Sequence, residues 1–226
     1  MMQNRILDWQ GSKNVRDLGG LRTTDGGLTR FGGILRADTP ARLTEAGWAA
    51  LYEYGIRTIV TLCTHGLSEP ELDFVSPYPE IKTVRVAIED VTNREFVEKW
   101  ASTDFWSTPL YYPDALALWP DRHAAAIAAI GQAGPGGVLF HCIRGHDRTG
   151  IISLLLLSLA GVAPEDILAD YAQSVDPERE TLLASRQTTT REVLLGVQAA
   201  LDAETYLLSG GASADELAAV RARLLG

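Results

Sequence analysis

Cysteine is scarce in this chain of 226 residues, which has only Cys63 and Cys142. Two cysteines cannot build the disulfide framework that holds many small secreted proteins together. Long apolar runs are also missing, because the longest, residues 151–163, falls well short of the roughly 20 residues that cross a bilayer. The first residues lead into no apolar stretch typical of a signal peptide. We therefore expect a cytoplasmic protein without stable membrane insertion, with a signal-independent route of secretion left open.

Positive charge is in short supply as well. The sequence has 20 Lys and Arg against 29 Asp and Glu, a net charge of −9. This acidic balance disfavours nucleic acids and anionic membranes as partners. A composition of 46% hydrophobic and 22% charged residues excludes a disordered chain, a collagen or a coiled coil. The length fits one folded domain over residues 1–226.

Strand-like and helix-like segments alternate through the first two thirds of the chain. Residues 57–63, 83–88 and 138–140 are apolar or β-branched and predict buried strands, and residues 149–160 predict a buried helix. The alternation predicts an α/β fold with a short, mostly parallel central sheet flanked by helices. In such a sheet the functional site lies beyond the carboxyl ends of the strands.

The segment that follows the strand at 138–140 reads HCIRGHDRTG, residues 141–150. A tight loop that ends at a helix N-terminus turns backbone N–H groups toward a bound oxyanion, and the helix dipole adds positive charge there. Arg148 at the rim can hold two phosphate oxygens with its planar guanidinium. Cys142 at the base lies in this positive field, which favours its nucleophilic thiolate form. The loop predicts attack by sulfur on the phosphorus of a phosphate ester.

The pattern HC-x5-R-T-G in this loop resembles the active-site motif of the protein tyrosine phosphatase superfamily. With Gly145 and Asp147 it is most similar to the bacterial tyrosine and dual-specificity phosphatases whose loop reads HC-x-x-GKDRTG. Residues 14–20, 33–38 and 167–174 resemble further segments of that family. The resemblance spans most of the chain and is weakest over residues 89–120.

The resemblance implies a cysteine phosphatase fold and a metal-independent phosphoric monoester hydrolase that needs no cofactor. Cys142 would be the nucleophile and form a phosphocysteine, and Arg148 would bind the phosphate and stabilise the transition state. The hydroxyl of Thr149 would help the thiolate to leave in the second step. The remaining phosphate-binding positions would be Ile143, Arg144, Gly145, His146 and Asp147, with His141 orienting the loop.

A general acid must protonate the leaving oxygen and later activate water. In the family this residue is an aspartate on a loop that follows a different strand. Asp90 directly follows the predicted strand at 83–88 and is the preferred candidate. Glu89, Asp104 and Asp114 are alternatives, since any of them could instead be a solvated loop carboxylate.

Two residues, His146 in the loop and Cys63 at the end of a strand, depart from the family pattern or add to it. His146 stands where the family usually has lysine, so we expect substrate affinity to fall as pH rises through its titration near 6.5; the alternative is that it merely faces solvent. Cys63 ends a predicted strand and is a candidate redox partner, forming a reversible disulfide that protects Cys142 from overoxidation. The alternative for Cys63 is an ordinary core cysteine.

Other polar and aromatic residues allow two interpretations each. Arg16 and Asp17 are expected to brace the catalytic loop, with direct phosphate binding as the alternative. The aromatic residues between 100 and 119 would form either a lid over a phosphotyrosine ring or part of the core. Asp166 and Asp170, one helical turn apart, are expected on a solvated face.

The preferred function is a protein tyrosine phosphatase that acts on phosphotyrosine in a protein or peptide. Alternatives are a phosphoinositide or dual-specificity phosphatase, a phosphate-binding module that has lost turnover, and a sulfurtransferase. A metal site built from His141, Cys142 and His146 lacks the other ligands of a structural zinc site. The sequence leaves the physiological substrate and the oligomeric state open.

Overall fold

The computed structural model describes residues 4–226 and contains one five-stranded sheet in the order β1-β2-β5-β3-β4. The strands are β1 Arg16–Asp17, β2 Ile34–Ala37, β3 Ile56–His65, β4 Lys82–Asp90 and β5 Gly137–His141. β1 is antiparallel to β2, and every other neighbouring pair is parallel. The predicted α/β class with a mostly parallel sheet is confirmed.

Helices connect and cover these strands. The α-helices are α1 Glu45–Glu53, α2 Arg94–Phe96, α3 Tyr112–Leu118, α4 Pro120–Gly131, α5 Asp147–Leu159, α6 Pro164–Ala172, α7 Pro177–Ser185, α8 Thr190–Ala200, α9 Ala203–Ser209 and α10 Ala214–Leu225. Short 3-10 turns lie at Pro40–Arg42, Pro70–Leu72, Asp104–Ser107 and Pro109–Tyr111, and Val97–Ala101 forms a π-helical turn. A capping box begins α10, with the Ser213 hydroxyl accepting from Glu216 N and the Glu216 carboxylate accepting from Ser213 N.

The two faces of the sheet bury separate sets of apolar side chains, because successive residues of a strand point to opposite faces. The larger core lies on the face of α4 and α5 and takes Ile34, Val60, Leu62, Val138 and Phe140 from the strands. The smaller core lies on the face of α1 and takes Leu35, Ile59 and Leu139. Helix α5 is covered nearly all round, which explains why its sequence has no polar face.

None of the helices within residues 4–226 is long and apolar enough to cross a membrane.

The carboxyl ends of β3, β4 and β5 meet at one edge of the sheet. The register pairs Thr61 with His141, so β5 ends beside the middle of β3. A β-bulge between Cys63 and Thr64 shifts the pairing with β4, and Thr64 lies opposite Glu89. A one-residue shift changes which side chains a strand presents to each face. The bulge therefore decides which carboxylate at the end of β4 contacts the loop that follows β5.

Candidate active site

The loop between β5 and α5 has its carbonyl groups held on the outer side. Ile143 O accepts from Thr39 N at 3.2 Å, Arg144 O accepts from Asn14 Nδ2 at 3.0 Å, and Gly145 O accepts from Arg36 Nη2 at 2.7 Å. In a trans peptide the C=O and the following N–H point in opposite directions. The N–H groups that follow these carbonyls are therefore directed toward the inside of the loop, as a cradle for an oxyanion requires.

Glycine is required at position 145 of this loop. Gly145 has φ +69°, in the left-handed region, and a Cβ there would lie 2.4 Å from Ala37 O. Any side chain would push the loop away from the end of β2. The close approach brings Gly145 O within reach of Arg36.

A buried ionic network holds the outer side of the loop. Asp170 in α6 is 1% exposed and contacts Arg16 Nε at 3.0 Å, Arg36 Nη1 at 2.9 Å and Arg5 Nη2 at 2.6 Å. Although burial acts in the opposite direction, these guanidiniums hold the pKa of Asp170 well below its usual range. The expectation that Asp170 lies on a solvated face is wrong, because its carboxylate is buried among the guanidiniums of Arg5, Arg16 and Arg36. Asp166 does lie near the surface, where it pairs with the exposed Arg22.

Arg16 and Asp17 lie behind the loop and have different partners. Arg16 is buried and donates to Asp170, while Asp17 accepts from the backbone N–H groups of Gly19 and Gly32 and from Tyr54 Oη. Burial raises the pKa of Asp17. These contacts favour the bracing role over direct phosphate binding.

Cys142 lies at the base of a cleft of about 420 Å³ and is 4% exposed. The loop residues Ile143, Arg144, Asp147 and Arg148 share the walls of this cleft. Thr149 Oγ1 is buried and has no hydrogen-bond partner within residues 4–226. Its hydroxyl is free to donate to a thiolate. No three His, Cys, Asp or Glu side chains within the same residues are grouped to hold a metal ion.

Arg148 is fixed by β3 and by two buried carboxylates. Its Nη1 donates to Leu62 O at 2.9 Å, its Nη2 lies 2.7 Å from Glu69 Oε1, and its Nε lies 4.0 Å from Glu89 Oε2. Against the effect of burial, nearby negative charge raises the pKa of Arg148, so the guanidinium stays charged. Sequence reasoning missed Glu69, which lies in an irregular segment after β3 with no motif around it.

His141 joins the loop to the sheet. Its Nε2 lies 2.8 Å from Thr61 Oγ1 and its Nδ1 lies 3.2 Å from Cys142 O. Burial lowers the pKa of His141 to about 3, so the imidazole is neutral at physiological pH. These contacts link the loop backbone to β3, and the orienting role of His141 stays a prediction.

Of the four carboxylates considered as general acid, two line the cleft and two do not. Asp90 is not among the residues that line the cleft; it pairs with Arg122 at 2.7 Å and accepts from Thr92, contacts that outweigh burial and lower its pKa. Asp114 pairs with Lys99 away from the cleft. Glu89 and Asp104 line the cleft.

Asp147 is a further carboxylate in the cleft wall. The family resemblance implied only a phosphate-binding role for this residue. Burial raises its pKa, its Oδ1 has no hydrogen-bond partner within residues 4–226, and its Oδ2 lies 3.3 Å from Arg144 Nη2. Glu89 also has a raised pKa because of burial, but its oxygens accept from Tyr111 Oη at 2.6 Å and Thr64 Oγ1 at 3.3 Å. Of the two, Asp147 has the freer carboxyl group.

His146 is largely enclosed by its neighbours and does not face solvent. Its side chain is 13% exposed, with Nδ1 3.6 Å from Asp176 Oδ2. Burial and the guanidinium of Arg144 lower the pKa of His146 to about 4. The premise that His146 titrates near 6.5 is therefore wrong, and no change in substrate affinity from this residue is expected between pH 6 and 8.

The two cysteines are both free thiols. Cys142 packs in the larger core with Val60 and Leu62, whereas Thr61, two residues before Cys63, contacts His141 on the opposite face. By the alternation of strand residues, Cys63 and Cys142 belong to opposite faces of the sheet. A disulfide between them would require rearrangement at the end of β3.

The aromatic stretch divides between the core and the cleft. Tyr111, Tyr112 and Trp119 are buried in the larger core, and Tyr112 Oη donates to Asp147 O at 2.8 Å. Trp106 is partly exposed and lines the cleft. Most of the stretch therefore lies in the core behind the loop, while Trp106 and Tyr111 are its aromatic residues in the cleft wall.

The loop between β5 and α5 thus places the HC-x5-R-T-G pattern on a turn that joins a strand to a helix, in an α/β fold. The sequence model of the tyrosine phosphatase family matches residues 7–226, and the chain belongs to this family. The family resemblance of the sequence is thereby confirmed.

Three relatives are similar in sequence. A Cupriavidus necator protein that carries the name tyrosine-protein phosphatase is 32% identical. The match covers 71% of this chain and 60% of the Cupriavidus necator chain. A tyrosine-protein phosphatase of Nostoc commune is 31% identical over 62% of this chain and 48% of its own. The triple specificity protein phosphatase PtpB of Mycobacterium tuberculosis is 28% identical over 76% of this chain and 70% of its own. The matches thus cover between 48% and 70% of the length of these relatives.

Among solved structures, the core catalytic domain of the S. cerevisiae PP-IP phosphatase SIW14 is similar with a TM-score of 0.46 and 15% identity. That match covers 86% of this chain and 94% of the other.

Proposed function

We propose that this chain hydrolyses phosphotyrosine in proteins or peptides through a phosphocysteine intermediate on Cys142. The observation that supports this proposal most directly is the arrangement around the thiol. Cys142 lies at the base of a cleft whose loop directs N–H groups inward and whose wall holds the charged Arg148. A nucleophile below an oxyanion cradle is the geometry that phosphoryl transfer to sulfur needs.

In the first step the Cys142 thiolate forms a bond to phosphorus and the bond from phosphorus to the tyrosine oxygen breaks. A general acid gives its proton to that oxygen as it leaves. Arg148 and the loop amides bind the equatorial oxygens, where charge is held in the transition state. In the second step water attacks phosphorus, the same carboxylate accepts its proton, and the S–P bond breaks. The Thr149 hydroxyl stabilises the departing thiolate.

We assign the general acid to Asp147 in preference to Asp90. A general acid must be protonated while substrate is bound, and the raised pKa of Asp147 favours this state. Its Oδ1 is also free of hydrogen bonds within the described residues. Asp90 has a lowered pKa and its carboxylate is engaged by Arg122 and Thr92.

The cleft suits an aryl phosphate on a peptide better than a polyphosphorylated lipid. Trp106 and Leu67 supply apolar walls for an aromatic ring. His146 is neutral, and Arg144 is already paired with Asp176 at 2.8 Å. The loop therefore has few free cations for additional phosphates. These contacts support a peptide substrate over a phosphoinositide.

The direct test is hydrolysis of p-nitrophenyl phosphate in the presence of EDTA. We expect Cys142→Ser to lower kcat by at least about 10³-fold, because the serine hydroxyl is a far weaker nucleophile at neutral pH. The same variant should still bind a phosphotyrosine peptide, and Cys63→Ser should keep wild-type activity. Substantial activity in Cys142→Ser, or a strict need for added metal, would contradict the mechanism.

Comparison of Asp147→Asn with Asp90→Asn tests the general acid. We expect Asp147→Asn to lower kcat/KM for a phosphotyrosine peptide by about 10²-fold, with a larger loss for an alkyl phosphate whose leaving oxygen is more basic. In the wild type kcat/KM should fall as pH rises through the raised pKa of the acid, and this decline should disappear in Asp147→Asn. Asp90→Asn should change the rate by less than about threefold, so the opposite order of effects would restore Asp90 as the acid.

A further inference from the structure

A second depression adjoins the catalytic cleft. It has a volume of about 730 Å³ and shares the wall residues Thr103 and Asp104 with the cleft that contains Cys142. Trp100, Phe105 and Leu110 form its apolar part. Because the two cavities share these wall residues, the second one is within reach of a peptide bound at Cys142. A residue of extended chain spans about 3.3–3.6 Å, so a side chain two or three positions from the phosphotyrosine lies about 7–11 Å along the peptide from it.

Arg186 is a positively charged residue of this depression whose side chain has no anionic partner within the described residues. It follows the last residue of α7, is exposed, and places its guanidinium carbon 4.4 Å from the centre of the Phe105 ring. Within residues 4–226 its side chain makes no ion pair and no hydrogen bond to an acceptor. This cation–π contact holds the guanidinium beside the ring, and its N–H groups have no acceptor within the described residues. A planar fork held in this way is prepared to bind a carboxylate through two hydrogen bonds.

The other charged groups of the depression limit what it can bind. Lys99 Nζ lies 2.5 Å from Asp114 Oδ2, so its charge is already compensated. Asp104 on the shared wall makes no ion pair within the described residues, and its carboxylate repels an acidic group placed midway between the two cavities. The favourable position for an anion is therefore beyond this wall, at Arg186.

We infer that this depression is a specificity subsite that takes one acidic side chain of the substrate, held by Arg186. The inference rests on the proposed function, since it places the acidic residue a few positions from a phosphotyrosine bound over Cys142. The subsite takes a single glutamate or aspartate at a fixed number of residues from the phosphotyrosine. A peptide with many acidic residues still meets a protein with a net charge of −9.

A set of short phosphotyrosine peptides tests the subsite. Each peptide carries a single Glu, moved from three residues before to three residues after the phosphotyrosine in an alanine background, and the reference peptide has no Glu. We expect one offset to raise kcat/KM by about fivefold, mainly through a lower KM, as for one well-formed exposed ion pair. Arg186→Ala should remove this preference, Arg186→Lys should keep part of it, and hydrolysis of p-nitrophenyl phosphate should be unchanged in both variants.

Arg30 provides a matched control, because it is also exposed and lies beside α10, where its N–H donates to Leu224 O. Arg30→Ala should keep the peptide preference. Equal kcat/KM for all offsets, or a preference that survives in Arg186→Ala, would overturn the subsite. So would an effect of Arg186→Ala on a soluble inositol phosphate headgroup with none on the acidic peptide.

Binding measurements separate the subsite from the proposed chemistry. In a Cys142→Ser background, the affinities of the same peptides report the preference without turnover. If the affinities depend on Arg186 but the wild type hydrolyses nothing, the proposed function fails and the subsite stands. If hydrolysis depends on Cys142 but the affinities do not depend on Arg186, the subsite fails alone.

Discussion

Replacement of Arg148 with lysine should lower kcat/KM for p-nitrophenyl phosphate by about 10²- to 10³-fold, the effect of losing one preorganised donor to a developing oxyanion. Lysine keeps the positive charge but loses the planar fork that holds two phosphate oxygens. It would also lose the contact from Arg148 Nη1 to Leu62 O, which aims the guanidinium. Glu69 and Glu89 would remain beside the cleft with a less well-placed cation to compensate them.

Steady-state kinetics on Arg148→Lys and Arg122→Lys checks this expectation. Arg122 also pairs with a carboxylate, Asp90, but is absent from the cleft wall, so its replacement should change kcat/KM by less than about threefold. If Arg148→Lys stays within tenfold of the wild type, phosphate is not bound by the guanidinium in the way described.

Asp170→Asn should destabilise the protein strongly. The substitution leaves Arg16 and Arg36, both almost fully buried, without their counter-ion, and removal of one partner of a buried ionic group costs about 3–5 kcal/mol. For a chain of this size such a loss corresponds to a fall in Tm of about 10 °C. Activity should fall as well, because Arg36 holds the carbonyl of Gly145 on the outer side of the catalytic loop.

Asp166→Asn is the matched control on the same helix. Asp166 pairs with Arg22, whose side chain is 70% exposed, so we expect a change in Tm of about 2 °C or less. The pair can be compared by thermal denaturation. Equal effects of the two substitutions would show that the network around Asp170 does not stabilise the loop.

The difference in Tm between wild type and Asp170→Asn should depend on pH, in a direction that follows from the pKa of Asp170. The folded-state pKa of Asp170 lies below its unfolded value of about 3.9, so its contribution to stability is fully present above that value and is lost as pH falls. The gap in Tm between wild type and Asp170→Asn should therefore be constant from pH 5 to 8 and shrink in stronger acid.

Much of the fold and the loop could be predicted from the sequence, because these features have local signals. The β-branched run in β3 and the alternation in β4 predict strands at nearly the observed positions. The apolar run after the loop predicts the buried α5. The spacing of Cys142 and Arg148 brings both to one cleft because a tight loop joins a strand to a helix N-terminus.

The carboxylates of the site could not be predicted in the same way, since their positions depend on tertiary contacts. A β-bulge after Cys63 pairs Thr64 with Glu89, and Glu89 rather than Asp90 lies near Arg148. No local pattern in the sequence signals this bulge. Glu69 reaches Arg148 from an irregular segment whose path is set by packing.

The burial of Asp170 and His146 was equally difficult to predict from the sequence. Asp166 and Asp170 have the same chemistry and lie on the same helix. Only their partners distinguish them, since Asp166 pairs with an exposed arginine and Asp170 with buried ones. His146 is enclosed by its neighbours, which lower its pKa to about 4, although the sequence shows only a histidine in a polar loop. Sequence reasoning treats such residues as exposed because their neighbours in space are distant in the chain.

The phosphocysteine itself is the most direct test of the account. We propose rapid acid quenching during turnover of p-nitrophenyl phosphate, followed by mass spectrometry of the proteolytic fragments. Asp147→Asn is the best protein for this measurement, because a good leaving group needs little acid assistance while slower activation of water lets the intermediate accumulate. A phosphocysteine mechanism predicts one phosphoryl group on the fragment that contains Cys142, and none in Cys142→Ser. Turnover without phosphorylation of Cys142, or a phosphoryl group on another residue, would contradict it.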